Sequence, residues 1–375
     1  MMTNNDRLKT LLGYSIPSII AMILSTTLTL TDGYFVGNYV GEKALASINL
    51  GLPILYLYLG LGLCIGVGGS VISGQLIGGK DRDKASSVFT ESIVTALAIT
   101  LLLSAGVYLL FNPILRLLKA EGELSVFFKS YYRVMLFSYP LLVLTTIFGM
   151  FIRTDGRPQV FMGISLLESV LNFILDYVFL KKLNMGVKGS AYATLIVKVV
   201  SCTICILYFL FSSKSIKIKR FSFDCAVFQQ SMLNGSSEFI GEMAGAISMM
   251  ALNYVLMKYV GEGGVAAFTI LGFAVYGYNM ITIGFGQGLS PIVSVPFSQG
   301  NWDEAEKLYL KLLNRDANNL QIKESLAFVY ASQGKFSEAL EIYSELQETF
   351  SENQAFLENQ IVLLISGGNE DAARE

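Results

Sequence analysis

Long apolar runs, separated by short polar clusters, fill the first four-fifths of the chain. A bilayer-spanning helix needs about 20 predominantly apolar residues. Runs at about 11–37, 44–76, 92–115, 134–152, 158–180, 189–213, 235–257 and 263–293 meet that length. They predict an all-α, polytopic membrane bundle of about eight transmembrane helices. The second and last runs are long enough to tilt or to extend past the hydrocarbon. Beyond residue 300 no spanning run follows, and a shorter period takes over.

Two internal repeats organise these runs. Tyr39-Val40-Gly41-Glu42, with Ala46 and Gly51, recurs as Tyr259-Val260-Gly261-Glu262, with Ala266 and Gly272. The seventh and eighth runs therefore look like second copies of the first and second, as in transporters built from paired six-helix halves. Six runs precede the second copy and two belong to it, so the second half is expected to be cut short. The tail repeats differently. Gly300, Gly334 and Gly368 lie 34 residues apart, as do Ala305, Ala339 and Ala373, and Tyr309 recurs at Tyr343. Thirty-four is the period of the tetratricopeptide (TPR) repeat, and Ala327 and Tyr330 stand where its first helix would pack. The organisation predicted is an N-lobe of six helices over 1–220, a truncated C-lobe of two helices over 221–300, and a TPR-like helical tail over 301–375.

Charge sharpens that division. Charged residues make up 15% of the chain, against roughly 25% in soluble domains. Residues 1–300 carry 21 basic and 15 acidic side chains, whereas the tail carries 6 and 14. Arg7, Lys9, Lys80, Arg82, Lys84, Arg153, Arg157, Lys214, Lys217, Lys219 and Arg220 fall on one side of the predicted membrane, which the positive-inside rule makes cytoplasmic. Lys181, Lys182 and Lys188 on the other side keep the bias modest. With the N-terminus inside, eight crossings put both termini in the cytoplasm. The polar start, Met1 to Lys9, leads into a run too long for a signal-peptide core. Cys202 and Cys205 have metal-type spacing but no partner pair, and the chain contains no histidine, so they read as packed thiols. The glycines from Gly60 to Gly79 lack the Gly-Lys-Ser/Thr of a phosphate loop and read as close helix contacts.

Ionisable residues inside spans are expensive and point to function. Asp32, Asp176 and Thr194 each lie about five residues from the outer end of their runs, a common depth of about 7 Å at 1.5 Å per residue. Asn172 shares a helix face with Asp176. Two carboxylates cannot both stay charged in a low-dielectric cavity without a counter-cation, so the set suggests a cation or proton site. The bland alternative makes Asp32 and Asp176 headgroup-level helix ends. Glu168 lies deeper and reads either as a structural partner of Lys198 or, with it, as a cavity residue. Glu238 reads as interfacial, and Glu242 as a further cavity candidate. Pro17 frees the carbonyl of Gly13, so the first helix can bend there.

Several motifs, in order and spacing, resemble the multidrug and toxic compound extrusion (MATE) transporters over about residues 8–300. They are Pro17 with Thr31-Asp32-Gly33-Tyr34-Phe35-Val36-Gly37, then Arg153-Thr154-Asp155-Gly156-Arg157-Pro158, then Asn172-Phe173-Ile174-Leu175-Asp176. Gly189-Ser190-Ala191-Tyr192-Ala193-Thr194 and Gly288-Leu289-Ser290-Pro291-Ile292-Val293-Ser294 complete the set. The resemblance implies two lobes of six helices that exchange Na⁺ or H⁺ for organic cations and drugs. It also implies that Pro17, Asp32, Asn172, Asp176 and Thr194 belong to an N-lobe cation site. Four helices of that pattern are not found here.

The function expected is cation-coupled antiport exporting organic cations from a multi-pass position in the cell membrane. Na⁺ or H⁺ would be the coupling ion, and no cofactor is expected. Asp32, Asn172, Asp176 and Thr194 would hold the ion, and neutralising the carboxylates would let the first helix bend. A non-transporting membrane anchor presenting the tail to a protein partner is the alternative, and a flippase of lipid-linked substrates a third. No nucleophile, base and metal set converges, so no enzyme and no nucleic-acid partner is expected.

Overall fold

The computed structural model describes residues 4–117, 121–219, 223–259, 278–295, 302–314 and 319–350. In order, the helices are α1 (Asn4–Tyr39), α2 (Glu42–Leu50), α3 (Leu52–Gly78), α4 (Arg82–Leu109), α5 (Phe111–Leu117), α6 (Gly122–Thr154), α7 (Pro158–Asp176), α8 (Val187–Leu207) and α9 (Cys225–Tyr259). They continue with α10 (278–295), α11 (Trp302–Leu313), α12 (Leu320–Ser332) and α13 (Phe336–Phe350). The chain divides into two compact units. One is Met1–Ile77 with Asp81–Ile292, and the other is Gly78–Lys80 with Val293–Glu375.

Six described helices are long and apolar enough to cross a membrane: Lys9–Tyr39, Leu52–Gly78, Arg82–Leu109, Gly122–Thr154, Pro158–Lys182 and Val187–Ser212. They correspond to the first six runs. The second run is broken at Gly51, where Tyr132 on α6 donates its hydroxyl hydrogen to the Ile48 carbonyl at 2.7 Å. Pro53 then opens α3, a position where its missing amide does no harm. Within the third run α4 stops at Leu109, and the short α5 follows from Phe111. The seventh run lies within α9. Of the eighth, 278–293 is helical and 263–277 falls outside the described residues.

α6 is the centre of the first unit. From Phe128 to Thr154 most of its side chains are buried, and Phe148 and Phe151 pack with Phe89 of α4 and Phe209 beyond α8. Lipid is the solvent for the rest, which explains fully apolar exposed side chains such as Leu102, Leu109 and Phe211. Backbones approach most closely where glycine removes the side chain. A Cβ on Gly68 would lie 1.8 Å from the Ser231 carbonyl oxygen, and one on Gly235 would lie 1.9 Å from that of Cys64, so α3 and α9 cross in contact.

Asp155, just past α6, fastens the chain that leaves α8. Its carboxylate accepts from the Tyr208 hydroxyl at 2.5 Å and from the Lys214 and Ser215 amides at 3.0 and 2.7 Å. Ser86 and Thr90 of α4 accept from the Lys217 and Lys219 amides, both at 3.1 Å. Residues 214–219 therefore form a strap in which the amides of Lys214, Ser215, Ile216, Lys217 and Lys219 are satisfied by side chains rather than by secondary structure.

The second unit holds α11, α12 and α13. α12 and α13 pair through a turn at Gly334, which has φ +76. Ala327, Ala339, Tyr343 and Leu346 form their core. Ala305 and Ala339, 34 positions apart, are both fully buried. Gly300, Gly368 and Ala373 lie outside the described residues.

Candidate functional site

The polar side chains of the spans are not scattered. On α7, Glu168, Asn172 and Asp176 recur every fourth residue and are all buried, forming a single stripe. On α8, Thr194 and Lys198 are likewise four apart and buried. α7 and α8 run antiparallel as neighbours, so Thr194 comes level with the Asn172–Asp176 end and Lys198 with Glu168. At Asp176 the regular α-helix ends and a π-helical turn, Tyr177–Lys182, carries the chain out. Such turns are frequent at functional sites.

Asp32 of α1 completes the cluster. Its Oδ2 accepts from the Thr194 hydroxyl at 3.2 Å, and the Asn172 and Asp176 side chains face the same carboxyl. The structure thus brings together Asp32, Asn172, Asp176 and Thr194, the four residues read from depth and motif. Asn172 and Asp176 are fully buried. Asp32 Oδ1, Asn172 Oδ1 and Nδ2 and both Asp176 oxygens lack a hydrogen-bond partner. Buried polar atoms in a native fold are nearly always paired, so such a concentration calls for a function.

Glu168 and Lys198 form a separate centre one turn deeper. Lys198 Nζ donates to both Glu168 oxygens at 3.0 Å, and both side chains are buried. Glu242 is not with them: it is half-buried on α9, beside Gly60 and Tyr56 of α3. Pro17 is buried within a continuous α1.

Other buried polar residues carry no signal in their spacing. Arg153, counted in the sequence as a basic loop residue, is 2% exposed. Its Nε donates to Ser18 Oγ at 3.1 Å and its guanidinium lies 4.7 Å from the Phe161 ring centre. Glu91 of α4 is buried in a small cavity beside Ser231 and Met232 of α9. Past Lys84, Glu91 is the one charged residue of α4, and that was the available clue to it.

The family description MatE matches residues 17–178, which include Pro17, Asp32, Asn172 and Asp176. Among curated proteins, the multidrug export protein MepA of Staphylococcus aureus (strain NCTC 8325 / PS 47) is 29% identical over 292 residues, covering 77% of this chain. The chain spans 64% of that relative's length. A solved structure described as the outward-facing conformation of a multidrug resistance MATE family transporter matches with a TM-score of 0.76 at 23% identity. That likeness covers 97% of this chain and 84% of the solved one. A MOP superfamily transporter from Pyrococcus furiosus, described as having a binding pocket of reversed polarity, matches with the same TM-score, identity and coverage. Residues 17–178 thus match the MatE family description, and the helical membrane bundle that holds them has the fold of MATE transporters.

Proposed function

We propose that this chain is a MATE-like secondary transporter in which Na⁺ or H⁺ binds at Asp32, Asn172, Asp176 and Thr194, and that organic cations are the exported substrate. The reading rests on one observation: buried oxygens of two carboxylates and a carboxamide converge without hydrogen-bond partners. Oxygen-only donors suit a hard cation or a proton shared between the carboxylates. A cationic drug and the coupling ion would compete for the same negative lobe, which gives exchange its thermodynamic basis.

Ion-gradient-driven ethidium efflux from cells making this chain tests the whole reading. Asp32→Asn and Asp176→Asn should each lower ion-dependent efflux by an order of magnitude or more, roughly the effect of deleting a buried charged ligand. On purified protein, a fluorescent probe near Pro17 should respond to Na⁺ or to pH, and Asp176→Asn should abolish that response while Glu121→Asn leaves it. Wild-type responses in both aspartate variants would make the carboxylates helix-end groups and remove the ion site from the mechanism.

The same reading includes eight crossings and two cytoplasmic termini. Reporter fusions at Asn4 and Glu375 should give same-side signals, and opposite-side signals would rule out an even number of crossings. We further infer that α11–α13 are a TPR-like unit suited to a protein partner. The 34-residue spacing, together with buried Ala305 and Ala339, supports it.

A further inference from the structure

Pro17 has no amide hydrogen, so α1 cannot complete the bond that would end on the carbonyl of residue 13. Gly13 lies one turn inside the start of a membrane-spanning segment, where a carbonyl facing the bilayer without a donor is costly. A side chain from another helix meets it. Gln159, in the first turn of α7, donates from Nε2 to the Gly13 carbonyl at 3.0 Å.

We propose that Gln159 is a positioning residue that stands in for the amide lost at Pro17 and thereby ties the first turns of α1 to α7. The arrangement extends along the pair. Ser169, ten residues further along α7, donates to the Leu24 carbonyl at 2.9 Å, and Asn172 and Asp176 then stand beside Asp32. One rigid helix thus grips α1 at both ends of its span. From Gln159 to Asp176 is about 26 Å at 1.5 Å per residue. Above Pro17 the backbone of α1 is held by its own ladder. Below it, one bond of that ladder is supplied from outside, so the first turns can swing on Pro17 only by breaking the Gln159 bond. Arg153 adds a second hold on the other side of the proline, through Ser18. The tie stands whether or not the carboxylates bind an ion, so the fate of the exchange reading does not decide it.

A double-mutant cycle separates this role from ordinary packing. Alanine at position 17 restores the amide, and with it the intrahelical bond to Gly13, which makes Gln159 redundant. Hydrogen–deuterium exchange of the full chain in lipid nanodiscs reads the amides of residues 10–21 directly. Gln159→Met, of similar length but with no donor, should speed their exchange about two- to tenfold, the range expected for one net hydrogen bond. In a Pro17→Ala background the same change should shift exchange by less than about twofold. Gln159→Lys keeps a donor and should remain near wild type, whereas Gln159→Glu should behave like Gln159→Met. Equal acceleration in both backgrounds would mean that Gln159 only packs, and unchanged exchange in the Pro17 background would overturn the tie. Should Gln159→Met not yield folded protein, the Lys and Glu variants decide by the same comparison.

Discussion

Lys198→Met should destabilise the folded bundle by about 3–5 kcal/mol, the loss found when one partner of a buried ion pair is removed. Lys198 Nζ bonds both Glu168 oxygens, and both side chains are buried. Taking the ammonium away leaves a buried carboxylate that has lost the bonds to both of its oxygens. The double change Glu168→Leu, Lys198→Met should recover most of the loss, because exchanging a whole buried pair for apolar side chains is often neutral or better. Thermal unfolding of the detergent-purified protein would show it. A single variant as stable as wild type would mean that the pair is not desolvated. The double variant carries more information: if it folds and still gives the Na⁺ or pH response near Pro17, the pair is structural and the ion site ends at Thr194. Loss of that response in a stable double variant would instead make Glu168 and Lys198 part of the cavity.

That ambiguity was already present in the sequence, where Glu168 and Lys198 could be read as a pair or as cavity residues. The cluster above them was more legible. Helix spacing placed Asn172 under Asp176, and counting from the ends of the runs put Asp32 and Thr194 at the same depth, since a membrane fixes where helices begin and end. The structure brings those four together. What the sequence could not provide were bonds between helices that no period links. Pro17 signals that the Gly13 carbonyl is free, but nothing in the chain says that residue 159 will meet it. Arg153 followed the pattern of a cytoplasmic loop charge, yet α6 runs on to Thr154 and carries it into the bundle. Asp155 belongs to a motif noted for its resemblance. Its work, holding the amides of Lys214 and Ser215, depends on a strap nearly sixty residues away. The break at Gly51 was hidden for another reason: hydropathy does not register a backbone turn inside an apolar run.

Gly235→Ala and Gly68→Ala should push α3 and α9 apart. The new Cβ at Gly235 would sit 1.9 Å from the Cys64 carbonyl oxygen and 2.8 Å from its Cα, and at Gly68 it would meet the Ser231 carbonyl at 1.8 Å. These are backbone atoms, so no rotamer change relieves the clash. The helices must separate, at a cost at or above the about 1–3 kcal/mol typical of overpacking. Gly241→Ala, on the same helix with nothing within 4 Å of its Cβ, is the matched control and should be neutral or mildly stabilising. A parallel contact joins α10 to α1, where a Cβ on Gly288 would lie 2.9 Å from Ser15 Cα and one on Gly284 would lie 2.7 Å from Ile19 Cα. Gly68 and Gly288 differ by the same 220 positions that separate Tyr39 from Tyr259, so the two crossings follow the internal repeat. If the halves of the repeat move against each other, both crossings must part, and alanine should favour the parted state. Cys64 is a native reporter, being buried at the crossing with its thiol turned toward the Met232 carbonyl. Maleimide labelling of Cys64 in the folded protein, with the exposed Cys225 replaced by serine, should rise several-fold in Gly235→Ala and Gly68→Ala, but not in Gly241→Ala. Folded Gly235→Ala protein whose Cys64 stays as protected as in wild type would show that the crossing yields without opening, and the repeat-related contacts would then be fixed packing rather than a seam that parts.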